Sequence, residues 1–393
     1  MNNVYVIEGA RTPFGAFGGS LRGTDVTQLG AIATTEALKR SKVPASEIDQ
    51  AFFGNVIHTS ANSPYLARHV SLKSGIPEAT PALTVNRLCG SGLQAVVSAA
   101  QAISLNEASG AVAGGAENMS MSPHVVRDLR FKTFKMGVPH FEDVLSATLM
   151  DQYCGLGMGI TAENLAEKYQ IGRPEQEEYA LLSQSRAAQA KEKGILAKEI
   201  TPVLDEKGEV LLEEDEHPKP DTNIEKLRKL RPAFKKDGSV TAATASGIND
   251  GAAAVVLGDD QLIAKHNIKP LAKIVSWGIA GVDPKYMGIG PVPATKQALE
   301  RANLQMEDID IIEVNEAFAV QVLSVRKELG IDLEKLNVNG GAIALGHPVG
   351  ASGARLLLTL AYELQRSNKQ FGLASLCIGG GQGISVVIEN MNK

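Results

Sequence analysis

A cysteine opens a predicted helix in residues 86–93, which read NRLCGSGL. An extended segment at residues 82–85 precedes it, and residues 94–103 continue it as a proline-free run of small side chains with helical spacing. Free N–H groups and the helix dipole at a helix start favour the thiolate form of Cys89. A buried structural cysteine is the competing interpretation, because free cysteine is among the most buried residue types.

The same stretch has a counterpart near the other end of the chain. When the sequence is aligned with itself without gaps, Cys89 aligns with Gly350 and Asn86 aligns with His347. In the same register, an early predicted helix–strand pair aligns with a late one. This duplication predicts two similar α/β halves, mostly parallel in their sheets, with helices against the sheet faces. If the halves pack about a pseudo-twofold axis, the Cys89 and His347 segments face one cleft at strand ends and helix starts.

Composition divides the chain further. We assign residues 1–118 and 270–393 to the two halves, and residues 246–269 to a return to the core. Residues 119–245 hold clusters of Met, Lys and Glu with little strand–helix alternation, which predicts an inserted loop domain. Its cationic block has two open interpretations, a phosphate-binding edge or a solvated face.

Bulk properties exclude several classes of protein. The 393 residues carry a formal net charge of -5, which argues against a nucleic-acid partner. The odd count of three cysteines, without CxxC spacing, predicts neither a disulfide framework nor a metal site. The chain enters a strand at once and has no apolar run of membrane-spanning length, so we expect a soluble, cytoplasmic protein without a membrane partner.

Three further stretches carry reactive or polar groups at predicted strand ends or helix starts. They are residues 314–318 (VNEAF), 340–350 (GGAIALGHPVG) and 375–383 (SLCIGGGQG). Separately, Asn315 could cap a helix, His347 could be a loop or core residue, and the glycines after Cys377 could serve a tight turn. Together with Cys89 they supply two thiols, an imidazole and an amide, which favours covalent catalysis.

Over its whole length the sequence resembles the thiolases, in their acetyl-CoA acetyltransferase branch. The matching blocks are residues 11–15, 86–92, 113–120, 231–234, 241–252, 315–318, 340–353 and 377–383. The resemblance implies a duplicated βα fold with a layered α-β-α-β-α core of two similar halves and a central loop-domain insertion. It also implies an acyltransferase that runs a Claisen condensation of two acyl-CoA molecules, acetyl-CoA to acetoacetyl-CoA, or the reverse thiolysis.

By this resemblance each catalytic position has an implied role. Cys89 becomes acylated, His347 takes its proton, and Cys377 removes or returns the α-proton of acetyl-CoA. One oxyanion site combines His347 with a water held by Asn315, and the other uses the backbone N–H groups of Cys89 and Gly379.

The resemblance also implies coenzyme A and acyl-CoA as substrates, with no permanently bound cofactor, in a homodimer or homotetramer. Ser246 would bond the pantetheine amides, two phenylalanines would wall the arm, and lysines would meet its phosphates. The matching coenzyme A positions are Leu149, Met158, Lys219, Lys226, Phe234, Ala242, Ser246, Ala317 and Phe318.

One position departs from the family pattern. Many acetoacetyl-forming relatives carry His-Met-Gly where this chain has Gly157-Met158-Gly159. The missing imidazole leaves a roomier loop over the thioester, so we expect acyl chains longer than acetoacetyl to be tolerated, as in a broad-chain 3-ketoacyl-CoA thiolase of fatty-acid β-oxidation. The same fold is also compatible with a condensing synthase that uses a carrier-bound substrate, and with a catalytically silent acyl-CoA- or lipid-binding protein.

Overall fold

A computed structural model describes residues 2–131, 136 and 139–391 of the chain. Among them, no helix combines the length and the apolar character that a membrane crossing requires. The elements up to residue 118 are β1 (Tyr5–Arg11), β2 (Gly15–Ala16), α1 (Val26–Ser41), β3 (Gln50–Gly54), α2 (Leu66–Lys73), β4 (Ala82–Val85), α3 (Ser91–Ser104) and β5 (Gly110–Asn118).

The region predicted to be an insertion contains short strands and longer helices. They are β6 (His124–Val125), β7 (Glu142–Asp143), α4 (Val144–Thr148), β8 (Met150–Asp151), β9 (Leu156–Gly157), α5 (Met158–Tyr169), α6 (Arg173–Glu192), β10 (Val203–Leu204), β11 (Val210–Leu212) and α7 (Ile224–Arg228). The described short strands pair only within this region, as three two-stranded sheets.

The remaining elements return to the large sheet. They are β12 (Asn249–Gly258), α8 (Asp260–His266), β13 (Ala272–Gly281), α9 (Pro291–Ala302), β14 (Ile311–Val314), α10 (Ala319–Leu329), α11 (Ala342–Leu345), α12 (Ser352–Ser367), β15 (Phe371–Ile378) and β16 (Gln382–Asn390).

The two halves share one sheet with the strand order β14-β15-β16-β13-β1-β12-β5-β3-β4. It is continuous because β1 pairs with β13, through Tyr5 opposite Lys273 and Val6 opposite Ala272. The prediction of mostly parallel sheets is wrong: β3 is parallel to β4 and β5, and β14 to β15, but β12 and β16 are antiparallel to their neighbours. In the second half, the tight turn between β15 and β16 forces this reversal.

The duplicated framework is confirmed element by element. Helices α3 and α12, strands β3 and β14, and strands β5 and β15 each begin at residues that the repeat register aligns. Helices α3 and α12 pack against each other and form the central layer. Helices α1 and α2 cover the outer face of one half, and α9 and α10 cover that of the other. The layered α-β-α-β-α core is therefore confirmed.

Helix composition explains which layer is central. A central helix has to bury apolar side chains on more than one of its faces. The five leucines of α12 are fully buried, namely Leu356, Leu357, Leu358, Leu360 and Leu364. Both central helices begin close together, because a Cβ at Gly92 would lie 2.8 Å from the backbone nitrogen of Ala354. The loops that precede them, with Cys89 and His347, are thereby brought together.

Candidate active site

Cys89 lies in a tight turn between β4 and α3, two residues before the helix. The turn is closed by a bond of 3.0 Å from the Gly90 N–H to the Arg87 carbonyl. Leu88, just before the cysteine, has φ 47°, a left-handed conformation that costs free energy in a non-glycine residue. This strained turn holds the cysteine at the mouth of the helix.

The pKa of Cys89 is shifted in the direction opposite to the one that the sequence predicts. Burial raises this pKa to about 11, although the backbone N–H groups of Gly379 and of Cys89 itself donate to the sulfur and favour the thiolate. The prediction of a helix-stabilised thiolate is therefore wrong, because desolvation outweighs the helix start. Cys89 is therefore a thiol at rest, and a base would have to remove its proton before the sulfur could act as a nucleophile.

His347 is buried, and its surroundings define its tautomer. Its Nδ1 lies 2.6 Å from the Ser352 hydroxyl, which in turn donates to the Pro348 carbonyl at 2.9 Å. The hydroxyl hydrogen is thus used, so Nδ1–H donates to Ser352 and Nε2 keeps its lone pair. Burial, assisted by the charge of Arg355, lowers the pKa of His347 to about 3. The imidazole is a neutral base.

Asn315 bonds to the histidine and does not cap a helix. Its Nδ2 donates to His347 Nε2 at 3.3 Å, while its Oδ1 has no partner among the described residues. Helix α10 begins only at Ala319, after an N-cap, Phe318, that makes no side-chain bond. The capping interpretation is therefore wrong, and the buried Oδ1 is free to hold a water.

Cys377 lies near the end of β15 and is fully buried, in one cluster with Met158 and Phe318, which line the cavity. Burial, with the nearby Cys89, raises the pKa of its thiol. The apolar environment thus disfavours the thiolate form of Cys377. A protonated thiol at this position is a proton donor.

A cavity of ≈ 530 Å³ joins Cys89 and His347. Its lining is mostly apolar with few polar groups, as is usual for small-molecule sites. Six of the nine predicted coenzyme A positions also line it: Leu149, Met158, Phe234, Ser246, Ala317 and Phe318.

The other three predicted positions lie outside this lining. Lys219, Lys226 and Ala242 are exposed. Lys226 Nζ donates to the Asp221 carbonyl at 2.8 Å, and the backbone N–H of Lys219 donates to Gln184. These three residues face solvent, so they do not form part of the cavity wall.

The loop of residues 233–248 closes one side of the cavity and is tied to the core. The Ser246 N–H donates to the Ala317 carbonyl at 3.0 Å. The rings of Phe234 and Phe318 meet edge to face, with centroids 5.9 Å apart. Buried Glu163 accepts the backbone N–H groups of Ser239 and Val240. These contacts form a narrow wall suited to a long, thin ligand.

Sequence reasoning missed two kinds of residue. Ser352, which orients His347, aligns with Ser91 in the repeat, whose hydroxyl bonds back to the Leu88 carbonyl at 2.6 Å. The alignment of these two serines in the repeat is the sequence signal that could have identified Ser352. Apolar lining residues such as Ile160, Met287 and Val349 lie in separate segments, and no local pattern distinguishes them from core residues.

Comparison with known proteins agrees with this geometry. Residues 4–261 match the model of the thiolase N-terminal domain, and residues 268–390 match that of the thiolase C-terminal domain. The chain is 48% identical to the human mitochondrial 3-ketoacyl-CoA thiolase, over 99% of both chains, and 48% identical to the acetyl-CoA acetyltransferase of Escherichia coli K12, over 100% of both. The crystal structure of the human mitochondrial enzyme in complex with CoA superimposes with a TM-score of 0.96, covering 99% of this chain and 98% of that one. Two linked domain matches, full-length relatives and a shared fold show that this chain belongs to the thiolase family.

Proposed function

We propose that the cavity is where this acyltransferase transfers acyl groups between coenzyme A thioesters, through an acyl-Cys89 intermediate. The observation that carries the proposal is the convergence of Cys89 and His347 on one cavity, with the Cys377 thiol near enough to Cys89 for the two to influence each other's charge. Its reaction is the thiolase Claisen condensation or the reverse thiolysis. Coenzyme A would occupy the wall formed by Phe234, Ser246 and Phe318.

In thiolysis the first half-reaction forms the acyl-enzyme. His347 Nε2 takes the Cys89 proton while the sulfur attacks the 3-keto carbon, and the carbonyl oxygen becomes an oxyanion. Breaking the bond between C2 and C3 leaves the acyl group on the sulfur and releases an enolate of acetyl-CoA. The Cys377 thiol protonates that enolate at C2, a role that suits a thiol whose pKa is raised by burial.

The second half-reaction transfers the acyl group to a free coenzyme A. The Cys377 thiolate takes the proton of the coenzyme A thiol, whose sulfur then attacks the Cys89 thioester. The acyl group leaves on coenzyme A, and the Cys89 sulfur regains its proton from His347 Nε2. Each step needs hydrogen-bond donors for an oxyanion. The N–H groups of Cys89 and Gly379 are available on one side. On the other side, the protonated Nε2 of His347 would act with a water held by Asn315.

A labelling experiment tests this function. Incubation with radiolabelled acetyl-CoA should place the label on the peptide that contains Cys89. The Cys89→Ser variant should carry none, whereas Cys154→Ser, a matched change at a cysteine outside the cavity, should label normally. Label that persists in Cys89→Ser, or a wild-type protein that never labels, would contradict the acyl-enzyme and favour a silent binding protein.

We further infer that the enzyme accepts acyl chains longer than acetoacetyl. A second cavity of ≈ 340 Å³ lies beyond Met150 and Met158, which border both cavities. It is lined by Leu88 and Gly379, next to the reacting sulfur. Methionine side chains are unbranched and adaptable, and Gly157 leaves the neighbouring space open. An acyl chain that displaces Met158 would extend into this second cavity.

Thiolysis rates measured with acetoacetyl-CoA and 3-ketohexanoyl-CoA test the chain length. The wild type should process both at comparable kcat/KM. A Cβ at Gly157 would have no neighbour closer than 3.9 Å, so Gly157→His fits and should shift the preference toward acetoacetyl-CoA by about tenfold. A steep wild-type preference for the four-carbon substrate would rule out the broader chain length.

We also propose a homodimer or homotetramer. Strand β4 is an edge of the large sheet, and its Leu83 is 50% exposed. An uncovered edge strand with an exposed apolar residue is a site for pairing. Light scattering should give a mass at least twice the monomer mass of 41.6 kDa. A monomer at micromolar concentration would contradict the proposed homodimer or homotetramer.

The cytoplasmic location stays a prediction.

A further inference from the structure

Glu117, which the mechanism does not use, is a fully buried carboxylate beside the cavity. It lies near the end of β5 and accepts four hydrogen bonds. Its Oε1 accepts from the Asn55 side chain and from the Ile57 N–H, each at 3.0 Å. Its Oε2 accepts from the N–H groups of Val56 and Gly350, also at 3.0 Å. One side chain therefore holds backbone from both halves of the molecule.

These backbone partners belong to segments that border the reacting residues. Val56 and Ile57 pack in one hydrophobic cluster with Cys89. Val349, between His347 and Gly350, belongs to the same cluster. Glu117 thus connects the wall around the nucleophile to the turn that follows the base.

The contact has no room for adjustment. A Cβ placed on Gly350 would lie 2.7 Å from Glu117 Oε2 and 3.0 Å from the Gly54 carbonyl. Gly350 can approach the carboxylate only because it has no side chain. A shift of the carboxylate would therefore be transmitted to the backbone beside His347.

The internal repeat gives an independent reason to assign this contact a role. The register that aligns Cys89 with Gly350 also aligns Glu117 with Ile378, the residue before Gly379. In one half, the end of β15 directs the Gly379 N–H at the Cys89 turn. In the other half, the end of β5 directs a carboxylate at the equivalent Gly350 turn. The strand end therefore contacts the equivalent turn in both halves. In one half it supplies an N–H group to the cysteine, and in the other half it supplies a carboxylate that holds the backbone in place.

We propose that Glu117 is a positioning residue that fixes the distance and orientation between Cys89 and the His347 base. The inference rests on the proposed function. Its four donors and lack of any acceptor among the described residues suit the ionised carboxylate, although burial raises its pKa to about 8. When ionised, its negative charge makes a contribution smaller than that of burial to raising the pKa of Cys89.

Two variants separate this role from simple stability. Glu117→Asp keeps the charge but is one methylene shorter, so it cannot reach both loops. It should lower the kcat of thiolysis by about tenfold to 100-fold with little change in KM, because a misplaced base costs rate and not binding. Glu117→Gln keeps the shape but removes the charge and places an NH₂ group against N–H donors.

The second readout does not depend on turnover. The rate of Cys89 alkylation by iodoacetamide, followed by mass spectrometry across pH, reports its thiolate. Its midpoint should move to lower pH in Glu117→Gln and stay near the wild-type value in Glu117→Asp. Asp259→Asn is the matched control, a buried carboxylate that caps α8 by accepting the Leu262 N–H. It should lower the melting temperature without changing kcat or the alkylation profile.

The outcomes are distinct. If Glu117→Asp folds and its kcat stays within about twofold of wild type, the positioning role is wrong. The positioning role is also wrong if Glu117→Gln folds and its alkylation profile is the same as that of the wild type. Should Glu117→Gln fail to fold, Glu117→Asp decides alone. A wild type without thiolysis overturns the proposed function itself, whereas an active wild type with active variants overturns only this inference.

Discussion

The reacting side chains of the cavity are neutral at rest. Burial raises the pKa of Cys89 to about 11 and lowers that of His347 to about 3. Each shift moves the pair further from a thiolate–imidazolium ion pair. Because neither charge is favoured without a ligand, proton transfer from the thiol to Nε2 is tied to the arrival of the acyl group and its developing oxyanion.

A pH profile tests this residue-scale conclusion. The acylation step needs His347 unprotonated. Because its pKa is lowered, His347 stays unprotonated at solution pH values well below 6.5, the ordinary pKa of histidine. The kcat/KM for a 3-ketoacyl-CoA should therefore not fall through about pH 6.5 as the solution is acidified. A loss of rate with an apparent pKa between about 6 and 7 would contradict a neutral, buried base.

Two helices determine where the reacting loops meet. Helices α3 and α12 begin so close together that a Cβ on Gly353 would overlap the backbone nitrogen of Leu93. Gly92 faces the Gly350 carbonyl in the same way. The small residues at both helix starts are what allow Cys89 and His347 to line a single cavity.

The variant Gly353→Ala tests the helix contact. The added methyl group should force the helix starts apart and destabilise the fold by about 1–3 kcal/mol, with kcat falling more than KM rises. Chemical denaturation and steady-state thiolysis measure the two effects. Gly23→Ala is the control, because its Cβ would meet nothing within 4 Å. Equal behaviour of the two variants would show that the close approach is unimportant.

At the scale of the whole molecule, stability depends on buried carboxylates as well as on the apolar core. Glu313 on β14 faces Arg355 on α12 at 3.5 Å, and both are almost fully buried. Neither Glu313 oxygen has a hydrogen-bond partner among the described residues. Burial therefore raises the pKa of Glu313 to about 8, despite the opposing charge of Arg355.

The sign of the pH dependence follows from this shift. Between its ordinary value of 4.5 and about 8, Glu313 holds more proton in the folded than in the unfolded chain. Its contribution to the free energy of unfolding is present below the lower value and is lost as pH rises through the upper one. Melting temperatures from about pH 5 to about pH 9 should fall less in Glu313→Gln than in wild type. The exposed control Glu225→Gln should keep the wild-type slope, and an equal slope in Glu313→Gln would contradict the assignment.

The sequence by itself determined the duplicated halves, the helix that follows Cys89 and the candidate reactive residues. Helical spacing, the register that aligns Cys89 with Gly350, and the family blocks are all local or periodic signals. They can therefore be read from the sequence without coordinates. The same signals placed Leu149, Met158, Phe234, Ser246, Ala317 and Phe318 near one ligand, and these residues line the cavity.

Only the tertiary structure decided the protonation states, the direction of the strands and the extent of the cavity. A helix start predicts a thiolate, but the pKa of Cys89 depends on how many atoms from distant segments exclude water around it. Antiparallel pairing of β12 and β16 depends on where the chain returns to the sheet, which strand–helix alternation does not encode. Glu117 and Ser352 acquire their roles from partners on the other loops of the site. Desolvation and close packing are sums over residues far apart in the chain, and a linear pattern cannot contain them.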